Sequence, residues 1–226
     1  MSHLLFAIGI FLATHIVLAE NPARKALVRL LGERAFAWSY GAIAVLQLIW
    51  IGQAVEGAPV VRYWEPPQWM AAVPLLVMPL ALLLLVCGFT QANPTATLAA
   101  GRLAQREVKG ILAVTRNPVM WGLGLWSLAH VAVVAEAAEA LRYGAFAALA
   151  LLLLPRIEAK QRAKWGEAAW ADFAARSSNV PFVAMAQRRA RLNWQEIGAV
   201  RLLVAAALYV AIVLWLQPGI AGVPVW

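Results

Sequence analysis

Lys109 to Ala135 reads KGILAVTRNPVMWGLGLWSLAHVAVVA. Arg116, Asn117 and Pro118 punctuate its entry, and the apolar run that follows is long enough to cross a bilayer. Pro118 suits the first turn of a helix, where its missing N–H would have found no partner. His130 stands well inside the run. An ionisable side chain at membrane depth costs about 3 kcal/mol on insertion scales for the charged types, so it faces a helix interior, a cavity or a ligand. His130 is therefore the first functional candidate.

The chain around this stretch has 226 residues, 63% hydrophobic and 13% charged, with a mean hydropathy of +0.72. That is the composition of a polytopic membrane protein. Cys87 is the lone cysteine, so no intramolecular disulfide and no cysteine metal site can form. The net charge of +8 is concentrated between apolar runs, where anionic lipid headgroups are a simpler partner than nucleic acid. No glycine-rich phosphate loop follows a strand, and nothing alternates with the period of a β-strand.

The pattern predicts an all-α transmembrane domain over residues 1–226, with six spans at about 3–19, 36–55, 70–89, 118–135, 141–154 and 197–217. Arg24, Lys25, Arg29 and Arg34 follow the first span, the reverse of a secretory signal, so that span is expected to be retained with the N-terminus outside. Residues 57–69 hold Pro59, Pro66, Pro67, Tyr63, Trp64 and Trp69, an interfacial loop at the outer face, with a lid as the alternative. Residues 90–117 carry Arg102, Arg106, Lys109 and Arg116 against the single acid Glu107, which marks them as cytoplasmic. Residues 155–196 hold eight Lys or Arg with Trp165, Trp170, Phe173 and Trp194, and are expected as amphipathic helix on the cytoplasmic face. Glu158, Lys160, Arg162 and Lys164 belong to its solvated side. A five-span arrangement, with the fourth and fifth spans as a hairpin, is the alternative topology.

His3, His15 and His130 are all the histidines. His3 is expected to be solvated. His15 and His130 each lie roughly 18 Å from the point where their helix enters the membrane, at about 1.5 Å per residue. The first helix enters from outside and the fourth from inside, so both imidazoles fall near the midplane and face each other if the helices are neighbours. Two axial histidines from different helices suit a haem b. Catalytic zinc lacks a third protein ligand. The simpler alternative is an interhelical hydrogen bond from each histidine to Thr14, Ser39, Gln47, Ser127 or Tyr209. Trp126, one turn before His130, walls any pocket there, although packing alone explains that spacing. Arg116 precedes His130 by fourteen residues, roughly 21 Å of helix, too far for a haem propionate. It reads as an interfacial anchor or a contact to a cytoplasmic ligand.

Thr115-Arg-Asn-Pro-Val-Met-Trp-Gly122 followed by Leu125-Trp-Ser-Leu-Ala-His130 resembles the signature of NnrU-family membrane proteins, relatives of the plant 15-cis-zeta-carotene isomerase. Phe11 to His15 in the first span and Ser177-Ser-Asn-Val-Pro-Phe182 extend the resemblance over almost the whole chain. The isomerase pattern is Arg-His-Pro-x-Met-x-Gly and then Leu-Trp-x-x-Ala-His, in an enzyme that uses a histidine-ligated haem b to isomerise a double bond of a long apolar polyene. The resemblance implies His15 and His130 as haem iron ligands, with Arg116, Asn117, Pro118, Met120 and Gly122 as the motif. It also implies the bacterial cytoplasmic membrane as location, and either an apolar substrate or a link to denitrification and nitric oxide metabolism. Asn117 departs from the pattern, standing where the isomerases have histidine.

The same stretch is similar to membrane methyltransferases of the isoprenylcysteine carboxyl and phospholipid N-methyltransferase group. Arg116 to Gly122, Ile157-Glu158 and Trp165-Gly166 to Trp170 correspond to their S-adenosylmethionine site. Asn117 replaces its histidine, Met120 its tyrosine and Ile157 its first glutamate. Each lost bond to a charged group is worth about 1.5 to 3 kcal/mol, and three together remove most of a micromolar affinity. A non-catalytic membrane assembly subunit is the third class.

Overall fold

Long apolar runs leave the backbone no partner but itself, and here they fold as helices. The structure is a computed structural model and describes residues 1–20, 22–91, 93 and 107–216. Arg102, Arg106 and Gln217, to which the sequence assigns places in a loop and a span, lie outside the described residues. In chain order the helices are α1 (Ser2–Glu20), α2 (Pro22–Glu56), α3 (Ala72–Thr90), α4 (Pro118–Val131), α5 (Ala137–Leu152), α6 (Leu154–Trp165), α7 (Glu167–Arg176), α8 (Val183–Ala186), α9 (Trp194–Ile197) and α10 (Ala199–Ala211). The described residues contain no β-strand, only an isolated bridge between Arg62 and Glu136.

Three helices among the described residues are long and apolar enough to cross a membrane: Pro22–Glu56, Gln68–Thr90 and Ala137–Trp165. That is fewer than the six spans the sequence suggests. The first and last apolar runs form the shorter helices Ser2–Leu18 and Ala199–Leu214. The run at 118–135 stops at Val131, because the N–H groups of Val133 and Val134 both turn back to His130 O and reverse the chain. The fifth helix starts at Ala137, earlier than the expected 141. Glu139 and Arg142 pair with each other one turn apart, which lets both charges sit inside the helix. The expected amphipathic stretch 155–196 is broken into α6 to α9, with Gly166 at φ 83° and Phe182 at φ 66° marking two of the breaks. In α2 the break is Gly32 (φ 79°, ψ 158°), which separates Arg24, Lys25 and Arg29 from the apolar portion beginning near Phe36.

The helices pack in the order α10, α3, α4, α5, α1, α2. Close approach of α3 to α4 depends on two glycines: a Cβ on Gly122 would lie 2.7 Å from Leu85 Cγ and 2.9 Å from Ala81 O, and one on Gly88 would lie 2.6 Å from Val119 Cγ2. One core cluster joins Leu4, Ala7, Ile8 and Phe11 of α1 to Ile51 and Ala54 of α2 and to Ala138 and Leu149 of α5. The outward faces are apolar as well, with Trp38 82% and Leu76 78% exposed, as expected of surfaces that meet lipid.

Candidate functional site

Polar side chains gather at the two ends of the bundle, and α4 carries a group at each. Before α4, the chain is drawn against the segment that follows α7. Arg116 N–H donates to Ser178 O at 2.8 Å, Phe182 N–H to Val114 O at 2.9 Å, and Thr115 Oγ1 to Asn179 O at 2.5 Å. These bonds hold Arg116 toward α6, where Nε and Nη2 donate to the two carboxylate oxygens of Glu158 at 2.6 and 3.0 Å. Asn117 Nδ2 donates to Glu158 Oε1 at 2.9 Å and to Asn179 Oδ1 at 3.1 Å, and Trp121 Nε1 donates to the same Asn179 oxygen at 3.1 Å. The Arg116 guanidinium carbon lies 5.7 Å from the Trp170 ring centroid.

Arg116 and Glu158 retain only 14% and 18% side-chain exposure, so solvent screens the pair weakly. Glu158 thus turns inward, away from the solvated face the sequence suggests, because α6 lays it against the cation that opens α4. Asn117 is buried, and its Oδ1 has no hydrogen-bond partner among the described residues. Pro118 takes the first turn of α4, Met120 is half-buried, and Gly122 faces α3.

At the other end of α4, His130 lies in the last turn. Its Nδ1 sits 2.7 Å from Trp126 O. A carbonyl only accepts, so Nδ1 carries the proton and the Nε2 of a neutral ring keeps its lone pair. His130 stacks on Tyr143 of α5 (4.9 Å, 27°) and lies 5.9 Å from the Trp126 ring. His15 repeats the arrangement on α1: Nδ1 is 2.8 Å from Phe11 O, with the Phe11 ring at 4.1 Å and Tyr40 of α2 at 5.5 Å. Neither Nε2 has a hydrogen-bond partner among the described residues. Of the polar groups the sequence offers as partners, Thr14 Oγ1 donates to Ile10 O and accepts from Gln47 Nε2, Tyr209 donates to Leu75 O, and Ser127 Oγ is buried without a partner among the described residues. His3, exposed, accepts from Trp50 Nε1 at 2.8 Å.

The two imidazoles flank one aromatic row rather than touching. Phe146 of α5 contacts both Phe11 (5.3 Å) and Trp126 (5.8 Å), which sets a common level. The end of the bundle holding the His3–Trp50 bond and the bonds from residues 61–64 to residues 134–137 is where α1 begins and α4 ends. His15 and His130 therefore lie one turn to opposite sides of Phe146, about 12 Å apart in backbone height at 1.5 Å per residue. Both rings lean back toward the shared level, because helical side chains point to the N-terminus of their helix.

Axial haem ligation needs what both histidines present: an Nδ1–H anchored on the protein and an Nε2 lone pair not engaged by the described residues, in rings that lie beside other aromatic rings. The residues fit a haem b in that respect, with Trp126 as one wall. Sequence reasoning does not single out Tyr40, Tyr143, Phe146, Arg142 or Asn179 as site residues, whereas Trp170 falls in the stretch that resembles the methyltransferase site. Two of the five carry a visible signal. Arg142 is a cation within an apolar run, and Asn179 falls inside the Ser177–Phe182 motif.

A family model described as NnrU protein matches residues 3–225. No curated protein and no solved structure matches the chain. With the match running through both histidine-bearing helices and the Arg116–Glu158 cluster, the chain belongs to the NnrU family.

Proposed function

We propose that this NnrU protein is a haem b-binding protein of the bacterial cytoplasmic membrane, crossing it six times, with His15 and His130 as iron ligands and Trp126 as a pocket wall. The observation that carries the reading is the matched state of the two imidazoles. Each has Nδ1 on the carbonyl four residues back and Nε2 without a partner among the described residues. An imidazole lone pair left without a protein partner in the same way on two separate helices, each beside aromatic rings, supports a ligand at both. A bound haem would supply an iron able to meet nitric oxide or to act on the double bond of an apolar substrate. The protein would supply the imidazoles, the aromatic enclosure and the exclusion of water.

The test is an optical spectrum, oxidised and dithionite-reduced, of the detergent-purified full chain beside His15→Ala and His130→Ala. Sharp α and β bands in the reduced wild type, lost or shifted in both variants, are expected. A colourless protein from haem-replete cells overturns the haem reading, and an unchanged spectrum in either variant removes that histidine from the ligand set.

One observation favours a second reading, S-adenosylmethionine-dependent methyl transfer at the Arg116 end: the buried and unpartnered Oδ1 of Asn117. Calorimetric titration with S-adenosylmethionine decides it, with no heat of binding as the refuting result. Loss of both ligands would leave an assembly subunit as the remaining class.

A further inference from the structure

Arg142 lies on α5 beside the candidate ligand His130. Its Nη2 pairs with Glu139 one turn earlier, and the two side chains are 22% and 28% exposed. The guanidinium carbon lies 4.5 Å from the Tyr143 ring centroid, and Tyr143 in turn stacks on His130 at 4.9 Å. The Nε of Arg142 is buried and has no hydrogen-bond partner among the described residues. A guanidinium is a rigid fork of five donors whose edge matches a carboxylate. Glu139 engages one arm, and Nε has no partner among the described residues.

The position adds a second reason. Arg142 lies near the end of the bundle where α4 finishes and the 61–64 segment bonds the 134–137 turn. A ligand held by His130 with acidic groups on one edge would place those groups toward the polar surface, since carboxylates avoid hydrocarbon. Arg116, by contrast, is engaged by Glu158 at the opposite end of α4.

We propose that Arg142 receives a propionate carboxylate of the haem ligated by His130, through its unpartnered Nε edge. This rests on the haem reading above. Arg142 is a positioning residue: it selects the carboxylate-bearing edge of the macrocycle and sets its orientation, while the imidazole holds the iron.

The experiment titrates the full-length apo-protein in detergent with haem b and, separately, with its dimethyl ester, in which both carboxylates are masked. The wild type is expected to bind haem b at least about tenfold more tightly than the ester, which corresponds to about 1.4 kcal/mol. In Arg142→Gln/Glu139→Gln, which removes the cation without stranding its partner acid, that preference is expected to disappear. Arg142→Lys, a point charge without the fork, is expected to keep part of it. Equal affinity of the wild type for both porphyrins overturns the proposal with no variant needed. A preference that survives in the double variant overturns it too. Failure of the wild type to bind either porphyrin refutes instead the haem reading beneath it.

Discussion

Glu158→Ala is the perturbation whose size follows most directly from the geometry. The carboxylate accepts two bonds from Arg116, at 2.6 and 3.0 Å, and one from Asn117 Nδ2 at 2.9 Å. Removing it leaves a guanidinium 14% exposed beside a buried amide donor. Breaking a buried ion pair from one side costs about 3 to 5 kcal/mol, and the residual exposure puts this case near about 3. For a chain of this length each kcal/mol shifts Tm by about 2 to 4 °C, so a fall of about 6 to 12 °C is expected. Tryptophan fluorescence during thermal unfolding in detergent reads it, since Trp170 packs on Arg116. Glu158→Gln keeps an oxygen in place and should lose about half as much. Arg116→Ala/Glu158→Ala should be less destabilised than the sum of the single variants, because the double variant removes both charges of the pair. Haem spectra should be unchanged throughout, since His130 lies about 21 Å along α4. A Glu158→Ala protein that melts within about 2 °C of wild type would refute the assignment of the pair as a structural tie between α4 and α6.

Gly122→Ala should lower Tm through overpacking worth about 1 to 3 kcal/mol, since its Cβ meets Ala81 O at 2.9 Å and backbone cannot step aside. The same substitution at Gly144, where no heavy atom lies within 4 Å, should not, and the difference in melting between the two variants checks the α3–α4 approach. Arg201→Ala removes donors to Thr90 Oγ1 (2.9 Å) and Thr90 O (3.1 Å) that tie α10 to the C-terminal end of α3, and one to Ile197 O (2.8 Å) at the end of α9; a loss of about 1 to 2 kcal/mol is expected in chemical unfolding. Trp64→Phe deletes the 2.8 Å bond to Val134 O and should speed limited proteolysis within residues 57–69 while shifting Tm by only about 2 to 4 °C.

The helical class of this chain is legible in its apolar runs, and the candidate histidines in their placement within them. Helix ends are less so. Nothing in VAVVAEAAEA announces that α4 stops at Val131, because that stop depends on the turn bonded by Tyr63 and Trp64, about seventy residues upstream. The placement of Glu158 was hidden for a related reason. Residues 156–164 read as a charged surface face, and only the docking of Asn179 and Ser178 against Thr115 and Arg116 shows why one acid turns inward. Counting residues from each helix entry puts His15 and His130 near the same depth, whereas α4 ends at Val131 with His130 in its last turn and the two lie about 12 Å apart in backbone height. The intervening α5, with Phe146 between Phe11 and Trp126, is a matter of helix order, which loop charge does not encode.

The short bridge between Arg62 and Glu136 makes the tie between residues 61–64 and the turn after α4 measurable. Tyr63 N–H donates to Ala135 O at 3.1 Å and Ala137 N–H to Val61 O at 2.9 Å. Backbone amides within membrane helices exchange slowly whatever the protein does, because water is scarce there. These two lie at the end of the bundle, and their protection comes from the bridge itself. Their hydrogen–deuterium exchange rate therefore reports the free energy of parting the 61–64 segment from the 134–137 turn that follows His130.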